Sequence, residues 1–263
     1  MPDRLVTAAR PTTADRLVNT RVLMFGAWSA LFYPGLLIVG WWGLAGFVPP
    51  PEPMSSAADI VGYYSAHATA IRAGMVVSMF GAVMAMPLGA TAAHFIRRVE
   101  GFVGPLTMLQ IMGAVGMAAL TFFPPMWWLI ALYRLDRNPE MTHMLSDAGW
   151  LQWVGGLTIY YPTVVTLAIA SFLDRGEPRI FPRWFGYVNI WLIMLLLPGQ
   201  MIFFFKTGPL AWNGLIAFYL AFIVFALWFP VAFHVLRTAT LRVRAEQMAA
   251  AAGGTAAEPA SVG

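Results

Sequence analysis

The chain has 263 residues, of which 59% are hydrophobic and only 11% are charged. Soluble domains run at about 25% charged residues, so this chain lacks the polar side chains to cover a surface in water. A soluble enzyme or nucleic-acid binder is excluded, and the mean hydropathy of +0.69 points to lipid as the solvent. Cysteine is absent, which removes disulfides, thiolate nucleophiles and Cys-ligated metal centres.

Residues 1–21 read as a polar tail carrying Arg4, Arg10, Arg16 and Arg21. The first apolar run, 22–48, is too long for a signal-peptide core and lacks a small-residue cleavage site, so it is expected to be a span. Pro49-Pro50-Pro51-Glu52-Pro53 then forms a stiff extended segment. Ser56 followed by Asp59 predicts a capping box for a short helix from Asp59 to Ala70, leading into the second span. Further apolar runs lie at 71–96, 102–133, 150–173, 183–205 and 209–236. Each exceeds the ~20 residues that cross a ~30 Å hydrocarbon layer as a helix. Residues 134–149 are expected to be a loop, flanked by Trp127, Trp128, Trp150 and Trp153 as an interfacial aromatic belt. The Ala/Gly-rich residues 239–263 are expected to be a disordered tail. The predicted fold is therefore an all-α membrane protein with a tail at 1–21, a six-helix transmembrane domain at 22–238 and a tail at 239–263.

The basic residues alternate between the two sides of this arrangement. Twelve arginines fall in both tails and in the second-to-third and fourth-to-fifth connections, whereas Arg72, Arg134, Arg137 and Lys206 fall on the other side. Basic residues are retained in the cytoplasm during insertion, so both termini are expected there. The abundance of arginine over lysine suggests a bacterial inner membrane. This placement accounts for the net charge of +4 without an anionic partner.

Every span contains a proline, a potential kink. Four follow two aromatics: Phe32-Tyr33-Pro34, Phe122-Phe123-Pro124, Tyr160-Tyr161-Pro162 and Trp228-Phe229-Pro230, whereas spans two and five have Met86-Pro87 and Leu197-Pro198. From the span starts the prolines lie 12, 16 and 22 residues in for the first half, and 12, 15 and 21 for the second. Two three-span halves necessarily have opposite orientations, which suggests a 3+3 inverted repeat with a site near the midplane. Gly81, Ala85, Gly89 and Ala93 give span two a small-residue face on which another helix can pack, within the fold or between protomers.

No Asp, Glu, Lys or Arg lies at the centre of a span. Ion-coupled transporters place such groups in the membrane as relays, so coupled pumping is disfavoured. No catalytic motif is present either, and no cofactor is indicated. The uncharged polar candidates are Tyr33, Gln110, Tyr160, Tyr161, Asn189, Gln200 and Tyr219. Pointing inward, they predict a cavity for an amphipathic or apolar molecule with a few hydrogen-bonding groups, or else plain interhelical bonding. Outside the membrane, His67, His143 and Met144 offer imidazole and thioether groups that suit copper(I) if the two outer loops meet.

The stretch from Asp59-Ile60-Val61 through Ile71-Arg72-Ala73-Gly74, and the Pro182-Arg183-Trp184-Phe185-Gly186 entry to span five, resemble those of bacterial six-span integral membrane proteins grouped as a domain of unknown function. The resemblance covers most of 20–238 and implies the fold, with no activity to carry over. Three functions stand as expectations: uncoupled transport or binding of small apolar or amphipathic molecules; a structural or accessory subunit of a larger membrane complex; and a membrane enzyme with an outer-face metal site. The partners expected are membrane lipid, a small hydrophobic ligand, and further copies of the chain or a membrane complex. Nucleic acid is not among them.

Overall fold

A computed structural model of the chain describes residues 18–255, all of whose regular elements are helical. Helix α1 (Thr20–Leu37) opens with the Asn19 side chain accepting from the Arg21 amide at 2.9 Å. It passes into a π-helical segment, Ile38–Leu44. Helices α2 (Ala57–Val83) and α3 (Ala85–Glu100) make one long element broken at Met84, three residues before Pro87. Helix α4 (Pro105–Tyr133) is continuous through Pro124 and Pro125. Helix α5 (Pro139–Gly155), a 3-10 segment (Gly156–Tyr160) and α6 (Tyr161–Leu173) form the fourth element. Helix α7 (Arg183–Leu196) ends in a 3-10 segment, Leu197–Phe203. A π-helical segment, Leu215–Leu220, leads into α8 (Ala221–Thr255).

Six of these elements are long and apolar enough to cross a membrane, as the hydropathy runs predict. The second, at 44 residues, would reach about 66 Å as a helix, so part of it projects beyond the hydrocarbon. Its outer end carries the expected capping box, with the Ser56 hydroxyl and the Asp59 carboxylate each satisfying the other's backbone.

Two expected boundaries differ. Residues 139–149 are helix rather than loop, because Asn138 caps the first turn by accepting from the Glu140 amide at 3.0 Å and Pro139 stands at the first helical position. The expected disordered tail is helical as far as Thr255. Its run of Arg, Ala, Glu, Gln and Met has high intrinsic helix propensity, and Glu246 pairs with Arg98 at 3.2 Å. Residues 1–17 and 256–263 of the two expected tails lie outside the described residues.

The spans follow one another around a ring, each packing on the next and the sixth closing on the first. The two described chain ends meet on one face, where the Gln247 amide donates to the Val18 carbonyl at 3.0 Å. The small-residue face of span two is used inside this ring. A Cβ on Gly89 would lie 2.0 Å from the Ala114 Cβ of α4, and one on Gly74 would lie 2.2 Å from the Gly40 carbonyl oxygen of the first span. Only glycine permits either approach, and Gly81 packs likewise on Leu36 and Leu37. The face therefore joins spans one, two and three of one chain.

The core divides by depth. Near the chain ends, Leu23, Phe95, Ile96, Phe181, Phe185 and Val235 belong to one buried cluster. Toward the opposite face, Trp41, Phe47, Tyr64, Trp128, Trp150 and Phe218 belong to another. Trp128 and Trp150 were expected at the lipid interface but are buried, with ring centroids 5.2 Å apart and Phe47 against both. Because 139–149 is helical, it carries Trp150 inward over α4.

Candidate functional site

The non-α segments of spans one, four and six each contribute to the wall of one cavity. The π-helical segment from Ile38 follows Pro34 by one turn, the 3-10 segment 156–160 precedes Pro162, and the π-helical segment 215–220 precedes α8. Such irregular backbone within a membrane is tolerated where it is buried in protein or lines a cavity. Here it borders a cavity of about 60 Å³. The walls are Pro34, Leu37 and Ile38 from span one; Leu120 and Thr121 from α4; Trp153, Val154 and Leu157 from span four; and Ala217, Phe218, Ala221, Phe222, Phe225 and Ala226 from span six.

The chemistry of this wall is almost wholly apolar. Its one side-chain hydroxyl, Thr121, is already engaged: it accepts from the Tyr33 hydroxyl at 3.2 Å and donates to the Met117 carbonyl at 3.1 Å. Most of the wall is buried, but Ile38 is exposed and Pro34, Trp153, Phe222, Phe225 and Ala226 are partly so. The cavity therefore reaches the outside between spans one and six. Toward the chain ends those two spans close on each other, with Trp28 and Phe233 rings 4.8 Å apart.

Below the cavity lies a septum of five rings. Tyr33 packs on Phe229 at 4.9 Å, Phe229 on Phe225 at 4.9 Å and on Trp228 at 5.0 Å, and Tyr160 on Phe225 at 5.4 Å and Trp228 at 5.8 Å. The Tyr33 hydroxyl is satisfied by Thr121, whereas the Tyr160 hydroxyl has no hydrogen-bond partner among the described residues. Beyond the septum a second void of only about 10 Å³ lies between Leu88, Gln110, Met117, Thr163 and Leu236.

The seven polar residues expected to line one cavity are spread along the bundle instead, and none lines the larger one. Tyr33 touches it through Thr121, and Gln110 borders the small void, where it accepts from the Thr166 hydroxyl. Asn189 is consumed by two bonds, donating to the Phe185 carbonyl at 2.7 Å and accepting from the Trp228 indole at 3.0 Å. Tyr160 lies in the septum, while Tyr161, Gln200 and Tyr219 are half-buried elsewhere. Of the two tyrosines before Pro162, Tyr160 joins Tyr33 in the septum, because the 3-10 segment turns Tyr160 inward. Most bonded members therefore act as interhelical fastenings.

On the outer face, no group of three or more His, Asp or Glu side chains among the described residues is placed to hold a metal ion. His67 packs against Tyr63 with ring centroids 4.6 Å apart and planes tilted by 34°, and its Nδ1 is 2.9 Å from the Tyr63 carbonyl. His143 lies 3.6 Å from Asp147 one turn along the same helix, and Met144 is exposed.

Sequence reasoning missed the cavity wall itself. Leu37, Leu120, Leu157, Phe222 and Phe225 are chemically indistinguishable from residues that face lipid. The one available signal is the small residues Ala217, Ala221 and Ala226, set among the bulky aromatics of span six. A comparison of the chain with protein-family models, curated proteins and solved structures finds no match. The fold defines a class, a multi-pass helical membrane protein with six spans.

Proposed function

We propose that this protein binds hydrocarbon from the bilayer in its central cavity, as the end of an acyl chain or a comparably slim apolar molecule, and handles it passively. The observation that carries this reading is a wall whose one hydroxyl is already bonded and whose other polar side-chain group is the Trp153 indole N–H alone, open beside Ile38, Phe222 and Ala226 between two spans. A polar ligand would lose its hydration there and find at most one donor, the Trp153 indole, in return. Size narrows the occupant further. A cavity of 150 Å³ takes a benzene ring, so about 60 Å³ suits a chain terminus rather than a compact metabolite. The absence of charge at span centres supports uncoupled binding or movement over ion-driven transport.

The orientation with both termini in the cytoplasm rests on the twelve-to-four distribution of basic residues, and the bacterial inner membrane on the excess of arginine over lysine. The 3+3 inverted repeat rests on the proline pattern. It is supported by a ring in which spans one and six pack together as do spans three and four, contacts that such a two-fold exchanges.

Photolabelling tests the cavity reading. Phospholipids carrying a diazirine at the acyl terminus should label Thr121, Leu157 and Phe222 more strongly than lipid-facing Val39, Ile223 and Leu227. A diazirine near the glycerol should not show this preference. Equal labelling of both sets by the terminal probe overturns the proposal.

A further inference from the structure

The connection between α6 and α7, residues 174–182, is short and exposed, yet it is built around a buried carboxylate. Asp174 is 5% exposed and accepts from the backbone amides of Gly176 at 2.9 Å, Ile180 at 2.6 Å and Phe181 at 2.9 Å. Phe181 is fully buried in the core beneath it. From the other side, the Arg242 guanidinium of α8 donates to the Arg179 carbonyl at 2.6 Å. Carboxylate, ring and guanidinium together hold the loop backbone in one shape.

This frame presents Arg175, Arg179 and Arg183 outward, next to Arg242. All four are exposed, and among the described residues none lies in a salt bridge. Glu177, also exposed in the loop, is the one other ionisable group there besides Asp174, whose charge is spent on three amides. The cluster sits at the edge of the apolar surface: Trp184, beside Arg183, is 48% exposed, and Phe172 and Tyr187 pair at 5.2 Å on the adjoining helix faces. Indoles and phenols in such positions mark headgroup depth.

We propose that this loop is a binding site for an anionic phospholipid, whose phosphate is held by Arg175, Arg179 and Arg183 and whose chains descend past Trp184 and Tyr187. Basic residues scattered in a mobile loop suffice to orient a protein during insertion; a buried carboxylate organising the backbone beneath them is not needed for that. Guanidinium groups suit phosphate because they donate in a planar, paired geometry. The chemistry is that of phosphate, and the aromatic and aliphatic flank selects the lipid over the free ion.

The test uses the full chain in nanodiscs of phosphatidylcholine with or without phosphatidylglycerol, with bound lipid counted by native mass spectrometry after release into detergent. Phosphatidylglycerol should be retained over phosphatidylcholine. The Arg175→Ala/Arg179→Ala/Arg183→Ala variant should lose this preference by roughly tenfold or more, given the strength of basic side chains at anionic membrane surfaces. Arg134→Ala/Arg137→Ala, at the opposite face, should keep it. Asp174→Ala raises the net charge while releasing the loop, and should weaken retention. If it does not fold, the triple variant alone decides. Unchanged retention in the triple variant, or inorganic phosphate displacing the lipid as readily as added phosphatidylglycerol does, overturns the assignment.

Discussion

Ala221 stands at the start of α8 with its methyl on the cavity wall, 6% exposed. Replacing it with leucine adds three carbons to a void of about 60 Å³. An unfilled void costs about 24 cal/mol per Å³, so filling this one recovers up to about 1.4 kcal/mol. Overpacking strain of about 1–3 kcal/mol opposes that gain. With the void filled, Ala221→Leu should therefore fall between about 0.4 kcal/mol above and about 1.6 kcal/mol below the parent protein, about 1.4 kcal/mol better than the same strain without a void. Ala30→Leu is the comparison: Ala30 is fully buried and borders neither cavity, so the whole overpacking loss of about 1–3 kcal/mol should appear. Both variants are assayed by thermal unfolding in one detergent, followed by photolabelling with the acyl-terminal diazirine lipid. The leucine at 221 should abolish labelling of Thr121 and Leu157 while leaving that of Val39 and Leu227 intact. Two results refute the reasoning. If Ala221→Leu is as destabilised as Ala30→Leu, there is no space to fill. If it is stable yet labelled as before, hydrocarbon does not reside in that space.

The two septum tyrosines should respond differently to loss of their hydroxyls. Tyr33→Phe removes the 3.2 Å bond to Thr121 and should cost about 1 kcal/mol, whereas Tyr160→Phe removes a buried hydroxyl without a partner and should be neutral or stabilising in the same melts. Gly89→Ala should destabilise by about 1–3 kcal/mol, since the new methyl meets the Ala114 Cβ at 2.0 Å. Adding Ala114→Gly should restore much of that loss; a double variant no better than the single one would place the strain elsewhere. Glu100 accepts from the Leu106 and Thr107 amides at 3.0 and 2.9 Å and from the Thr107 hydroxyl at 2.6 Å, capping the first turn of α4. Glu100→Ala should therefore lose about 1 kcal/mol, and hydrogen exchange should rise first at those two amides.

Much of the architecture is legible in the residues. The capping box at Ser56 and Asp59 works because its bonds are local, and Asn138-Pro139 carried an equally local helix start that a low hydropathy over 134–149 obscured. The small-residue face of span two was visible too, but not its partner, since Gly81 and Gly89 face different helices across the break at Met84. The polar candidates misled for a related reason. In lipid an inward-pointing Gln110 or Asn189 is as well explained by a neighbour's hydroxyl or indole as by a ligand, and each found such a neighbour.

Composition determined the solvent, and the order of residues the number of spans and the alternation of charge between loops, because lipid selects for apolar length whatever the helices later pack against. Tertiary structure decided which apolar side chains face lipid, which form the septum and which leave a gap. Hydropathy carries no record of helix rotation, and in this chain rotation is reset mid-span by π-helical and 3-10 segments. Leu157 on the cavity and Ile159, 47% exposed, stand two residues apart in one such segment. Similar in chemistry, they are separated only by the direction in which the backbone turns them.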